Sequence, residues 1–246
     1  MEIIGNGMIA RGLLRYSADV NDTVVFASGV SDSTLKEWQE YDRECQMLYQ
    51  VIRDCKERDK TLVYFSSGGT VYGKSNDERK EDAPLSPETV YGRHKALCES
   101  VISSSGVRYL IARLPTVVGQ TKSKTQLIPV FIKQAMEGNV TLLKDAERDI
   151  IGITDVARII VAILKKLRKN EIINVASGVS VPVSDIFSEI QNNLGVKPAI
   201  KIIRGGDKQR FNVDKLHAYC PKITFTKDYY RNVIQSYVSE QRDGRV

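Results

Sequence analysis

The sequence predicts an α/β fold, a doubly wound parallel sheet with a small C-terminal lobe, on three observations. Short apolar runs alternate with amphipathic stretches along the chain, the order that builds a parallel sheet layered with helices. The first run, Glu2-Ile3-Ile4, leads straight into Gly5-Asn6-Gly7-Met8-Ile9-Ala10 and then a helix. A later run ends in Ser66-Ser67-Gly68-Gly69-Thr70-Val71-Tyr72-Gly73, a hydroxyl- and glycine-rich exit from a buried strand. With 246 residues the chain can bury a full core as a single unit, 1–246.

The opening turn reads G-x-G-x-x-A. In a dinucleotide-binding turn the first glycine makes the tight bend and the second lets backbone approach a pyrophosphate. The small third residue permits close helix packing. A plain strand-to-helix turn is the simpler reading of the same pattern. Gly5, Gly7, Met8, Ile9 and Arg11 are the candidate cofactor contacts here, and Ala27, Ser28 and Gly29, at the exit of the next strand (22–26), are three more. Leu35, Trp38, Tyr41, Cys45, Leu48, Ile52 and Cys55 recur at spacings of three and four, which predicts a core-facing helix over 33–57. A buried strand follows at 61–65. Residues 74–87 form a charged, proline-bearing loop, expected as a mobile flap near the site. Then come a helix over 91–104 and a strand over 108–115. Beyond these, helices are expected over 127–138 and 183–194 and strands over 140–143 and 172–176. Asp155 and Ser184 are candidate caps.

Hydrophobic content of 42% and charged content of 27% are ordinary for a globular protein. The net charge of +6 is spread along the chain, and its densest run, Lys165-Lys166-Leu167-Arg168-Lys169, suits a helix C-terminus better than a nucleic-acid patch. No apolar run has membrane length. The four cysteines, Cys45, Cys55, Cys98 and Cys220, show no metal-ligand spacing among themselves, and only two histidines exist. The expectation is reduced thiols, no metal, and a cytoplasmic protein.

Tyr91-Gly92-Arg93-His94-Lys95 sets a tyrosine and a lysine four residues apart, on one face of a helix. With 11 Tyr and 19 Lys, chance alone supplies about one such pair. Its weight comes from Ser67 and Thr70, which precede it at a strand end, where open α/β sheets place their chemistry. Together these segments resemble the extended short-chain dehydrogenase/reductase family of nucleotide-sugar epimerases, dehydratases and 4-ketoreductases, with a Rossmann-like sheet and a small C-terminal substrate-binding lobe. The resemblance covers nearly the whole chain. It implies a cofactor-binding core mainly over 1–120, and core plus substrate lobe over 121–246.

The resemblance also implies roles. Tyr91 exchanges a proton with the substrate oxygen while the nicotinamide carries the hydride, and Lys95 lowers the phenol's pKa and holds ribose hydroxyls. Ser66 and Pro115 join the cofactor contacts. Gly68, Gly69, Thr116, Arg148, Lys208 and Arg210 are candidate contacts to a nucleotide-diphosphate sugar, although Arg148, Lys208 and Arg210 also read as solvated charges. The cofactor is NADP or NAD, with Arg11 and Arg15 pointing to NADPH. A homodimer through the helices at 33–57 and 91–104 is implied as well.

Three departures from the family stand out. Two strands that usually hold the adenosine end are missing after the first helix. Gly68 occupies the usual hydroxyl position, so Ser67 or Thr70 must substitute; Thr70 is favoured for substrate and Ser67 for cofactor or turn contact. Thr116 stands where Asn is usual. Gly69-Thr70 replaces the Asp-Glu pair of the 4,6-dehydratases, and no cysteine stands at Thr70, so redox chemistry at one carbon remains. Reduction of a 4-keto-6-deoxy sugar nucleotide is expected. C4 epimerisation with bound NAD, or a non-catalytic binding role, are the alternatives.

Overall fold

The computed structural model describes residues 1–74 and 76–242. Five parallel strands form the central sheet in the order Glu2–Ile4, Thr23–Phe26, Thr61–Ser67, Arg108–Leu114, Glu171–Asn174. Successive strand residues point to opposite faces. Val25, Val63, Leu110 and Ile173 therefore pack with Leu13, Val156 and Ile160, from the helices Met8–Leu14 and Ile153–Leu164. Val24, Leu62, Tyr64 and Ile111 pack the other way, with Leu48, Ile52, Cys98 and Ile102 of the helices Trp38–Glu57 and Val90–Ser104. Both faces are covered, so the strands read as continuous apolar runs.

The sheet stops at Glu2–Ile4. Among the described residues no strand pairs with its outer edge. The helix Met8–Leu14 returns directly to the neighbouring strand and lies on the same face as Ile153–Leu164. The absence of two strands read from the sequence thus becomes an open edge beside the glycine turn.

The smaller lobe has its own core. Ile128 and Phe131 of the helix Leu127–Met136 meet Phe187 and Ile190 of Val183–Leu194 and Ile234 of Tyr229–Arg242. A parallel strand pair, Asn139–Leu143 with Ala199–Ile203, flanks them.

Several expectations need correction. The long helix begins at Trp38 rather than residue 33, and Trp38 is exposed, not core, because the first helical position stands clear of the sheet. Ser184 and Asp155 lie inside the first turns of their helices, whose cap positions are Pro182 and Gly152. Asp155 instead accepts a 2.6 Å bond from the Tyr229 hydroxyl. The loop at 74–87, apart from Ser75, which lies outside the described residues, is anchored rather than free. Glu78–Arg79 pairs with Arg210–Phe211. Arg79 is buried and donates to Gly73 O and Asp207, and Asn174 Nδ2 donates to Arg79 O.

Gly5 holds φ at +127°, and a Cβ there would stand 2.3 Å from Ala27 O. This close approach locks the first turn against the exit of the second strand, where Ala27 N donates to Ile4 O. Gly5→Ala is expected to cost about 1–3 kcal/mol, read as a lowered urea midpoint. An unchanged midpoint would show that the turn relaxes without cost.

Candidate active site

A cavity of about 1050 Å³ opens at the carboxyl ends of the central strands, the place where open α/β sheets bind ligands. Three elements bring the predicted pair to its wall. The strand Thr61–Ser67 runs out into the cavity, and the short helix Gly68–Val71 turns away from it. Thr89 then caps the helix Val90–Ser104, its Oγ1 accepting a 3.0 Å bond from Gly92 N. The cap starts the helix at the point that puts Tyr91 in its first turn and Lys95 one turn on, both buried and both on the cavity wall.

Beneath them lies a carboxylate that the motif does not reveal. Glu44, on the helix Trp38–Glu57, has 0% exposure. Its Oε1 accepts from Lys95 Nζ at 2.9 Å and from the Tyr64 hydroxyl at 2.8 Å. Its Oε2 accepts from Val30 N at 2.6 Å and faces His94 Nε2 at 3.0 Å. Lys95 also donates to Tyr64 at 3.2 Å. Burial works to raise the Glu44 pKa, but Lys95 and His94 outweigh it and hold the carboxyl well below its usual range. Burial works against the Lys95 ammonium, yet Tyr91 and Glu44 keep its pKa above the ordinary lysine value.

Lys95 lowers the Tyr91 phenol pKa as the sequence predicts, but burial, the largest effect, together with the Glu44 carboxylate outweighs it, so the net shift is upward.

Both candidate hydroxyls line the cavity. Thr70 Oγ1 donates to Ser67 O at 3.4 Å, and the Ser67 side chain works to lower the Tyr91 pKa. Gly68 faces away from the cavity, where its missing Cβ leaves room for Phe211. Gly69 lines the cavity against Gln209, and Pro115 and Thr116 line it as well.

On the cofactor side, Gly7, Met8, Ile9, Arg11, Ala27, Gly29 and Ser66 line the cavity. Gly5 and Ser28 are not among the lining residues: Gly5 supports the turn, and Ser28 O accepts from Arg43. Two observations fit a bound dinucleotide. A Cβ on Gly7 would meet nothing within 4 Å, so the turn leaves open space above it. Ser66 Oγ is buried with no partner. Gly29 has a separate task, since a Cβ there would collide with Glu44 Oε1 at 2.7 Å and Lys95 Nζ at 2.8 Å. Arg11 donates to Gln120 O at 2.9 Å, while Arg15 lies in a separate hollow.

On the opposite side, Arg148 lines the cavity and is held by Asp207 at 3.1 Å. Lys208 and Arg210 do not reach it; both pair with Glu147, at 2.9 and 3.3 Å. Asp207 and Gln209 line the cavity unforeseen. Nothing local in the sequence marks them.

The profile of the NAD dependent epimerase/dehydratase family matches residues 12–176. The chain belongs to this family. A protein of Methanocaldococcus jannaschii provisionally named a UDP-glucose 4-epimerase is 32% identical over 151 residues, 55% of this chain and 48% of that protein. The dTDP-4-dehydro-6-deoxyglucose reductase of Escherichia coli is 27% identical over 149 residues, 56% of this chain and 47% of that protein. The chain thus aligns with about half the length of these curated relatives. Among solved structures, RMD from Pseudomonas aeruginosa complexed with NADPH superposes with a TM-score of 0.76 at 18% identity, covering 97% of this chain and 98% of that one, a likeness of fold. Among the described residues no helix is long and apolar enough to cross a membrane.

Glu44→Ala leaves the Lys95 ammonium buried without its counter-ion, and a loss of about 3–5 kcal/mol is expected in urea unfolding. The folded-state Glu44 pKa lies below its unfolded value, so its contribution is fully present above about pH 5 and is lost as pH falls through the carboxylate range. Acid unfolding followed by circular dichroism should accordingly show a shallower acid limb in Glu44→Gln than in the parent. Identical limbs would show that the pair carries no such linkage.

Proposed function

We propose that the chain is an NAD(P)-dependent oxidoreductase that reduces a 4-keto-6-deoxy sugar nucleotide. The observation that carries this reading is Tyr91 at the strand-end cavity, with Lys95 Nζ 5.6 Å from its ring centre and Ser67 on the same cavity wall. The nicotinamide, when bound, supplies the hydride. Tyr91 donates the proton to the carbonyl oxygen, a role suited to a phenol that remains protonated at neutral pH. Ser67 bonds the same oxygen, and Lys95 holds the ribose side and restores the charge balance when Tyr91 gives up its proton. Gly7, Arg11 and Ser66 take the cofactor, and Arg11 favours NADPH. Gly69, Thr116 and Arg148 face the sugar nucleotide, with the C-terminal lobe closing that side. The open sheet edge beside the glycine turn suits a cofactor that exchanges at each turnover.

A C4 epimerase with retained NAD is the second reading, favoured by the 32% identical relative. We place a homodimer contact on the helices Trp38–Glu57 and Val90–Ser104, where Trp38, Tyr49, Val90 and Leu97 are exposed.

Nucleotide released on denaturing the purified chain, followed by titration with NADPH and NADH, distinguishes the readings. An empty site that binds NADPH and turns over a 4-keto-6-deoxy sugar nucleotide supports the reductase. Co-purified NAD supports the epimerase. No binding of either cofactor overturns both and leaves a non-catalytic role. For the reductase, Tyr91→Phe should lower kcat at least about 100-fold with the NADPH Kd retained. Unchanged turnover would remove Tyr91 from the chemistry.

A further inference from the structure

Behind the Glu44–Lys95 pair lies a second cluster of functional side chains. His94 and Cys98 are four residues apart and share one face of the helix Val90–Ser104. Cys45, next to Glu44, faces them from the helix Trp38–Glu57. The three ligand atoms lie within 4.8 Å of one another. Cys98 Sγ is 3.6 Å from His94 Nε2, and Cys45 Sγ is 4.0 Å from His94 Nδ1. The sequence expectation of no metal-ligating set misses this group, because the i, i+4 His–Cys pair becomes a set only when a residue from a distant helix joins it.

We propose that Cys45, His94 and Cys98 form a site for a thiophilic divalent cation of the zinc class. A tetrahedral zinc ion with Zn–S of about 2.3 Å and Zn–N of about 2.0 Å sets its ligand atoms about 3.6–3.8 Å apart. The three ligand atoms lie within 4.8 Å of one another, wider than that spacing, and with Cys45 Sγ beside Nδ1 and Cys98 Sγ beside Nε2, the Cys98 side chain must turn toward Nδ1 to meet the ion.

A second observation points the same way. Metal-bound imidazoles characteristically give their other nitrogen to a carboxylate, which fixes the ring. Here Glu44 Oε2 holds Nε2 at 3.0 Å, leaving Nδ1, the nitrogen facing Cys45, to ligate. Cys45 is half-buried, while His94 and Cys98 are buried. Water completes a three-ligand site of this kind.

Ion binding displaces both S–H protons to solvent, and two thiolates balance the charge of the ion. Because Glu44 reaches Lys95 through its other oxygen, occupancy also steadies the carboxylate beneath the active lysine. The inference itself rests on these side chains and not on the reaction assigned to Tyr91.

The test is a titration of the reduced, chelator-stripped full chain with Co²⁺, followed by displacement with Zn²⁺. One Co²⁺ per chain with a thiolate charge-transfer band is expected, with release of about two protons per ion. Cys45→Ser, at a half-buried position, should weaken binding at least about tenfold, and Cys45→Ser with Cys98→Ala should abolish the band. Circular dichroism confirms that each variant is folded; if the double variant unfolds, Cys45→Ser alone decides. No charge-transfer band in the parent, or an undiminished band and affinity in folded Cys45→Ser, overturns the site.

Discussion

The buried ion pair between Glu44 and Lys95 is the constraint around which this molecule is arranged. Removing each charge from water costs several kcal/mol, so the pair persists only where every lone pair and proton finds a partner. The fold meets that demand from four directions. Tyr64 comes from the central strand Thr61–Ser67, Val30 N from the loop after Thr23–Phe26, His94 from the same helix as Lys95, and Glu44 itself from the long helix packed beside it. Gly29 is the place where backbone must come so close that no side chain fits. Pairing of this kind fixes the register of the two helices against each other and against the sheet. It thereby fixes where Tyr91 stands.

The same pair sets the electrostatics of the cavity wall. A free ammonium beside Tyr91 would draw the phenol toward phenolate. With a carboxylate behind it, part of that pull is neutralised and burial dominates. The net effect is a phenol pKa above the usual tyrosine value. The substrate side follows a related logic at lower burial. Asp207 stands between Arg79 and Arg148, at 3.2 and 3.1 Å, and holds Arg148 on the cavity wall. Arg79 in turn ties the 74–87 loop to Asp207, and Glu78–Arg79 pairs with Arg210–Phe211.

The sheet edge is the main departure of the fold. The glycine turn sits on an edge strand, with nothing paired outside it among the described residues. The core does not suffer from the missing strands, because both faces of the remaining sheet are layered with helices and every central strand is buried.

Much of this was legible in the sequence. Continuous apolar strands, the glycine turn and the Tyr91–Lys95 spacing are local patterns with fixed geometric consequences, and they determined the sheet, its covering helices and the placing of Tyr91 and Lys95 on one helix face, while the two lost strands were legible only against the resembling family. What only the tertiary structure decided depends on contacts between distant segments. Glu44 reads as one more polar residue on an amphipathic helix until the packing of that helix places it under Lys95, 51 residues away. Thr70 reads as one more hydroxyl in a turn, and only the short helix Gly68–Val71 directs its Oγ1 back to Ser67 O. Arg148, Lys208 and Arg210 are alike as cations, and the position of Glu147 and Asp207 sorts them. Charge, burial and hydrogen-bond direction are properties of neighbourhoods, and a sequence lists residues without listing their neighbours.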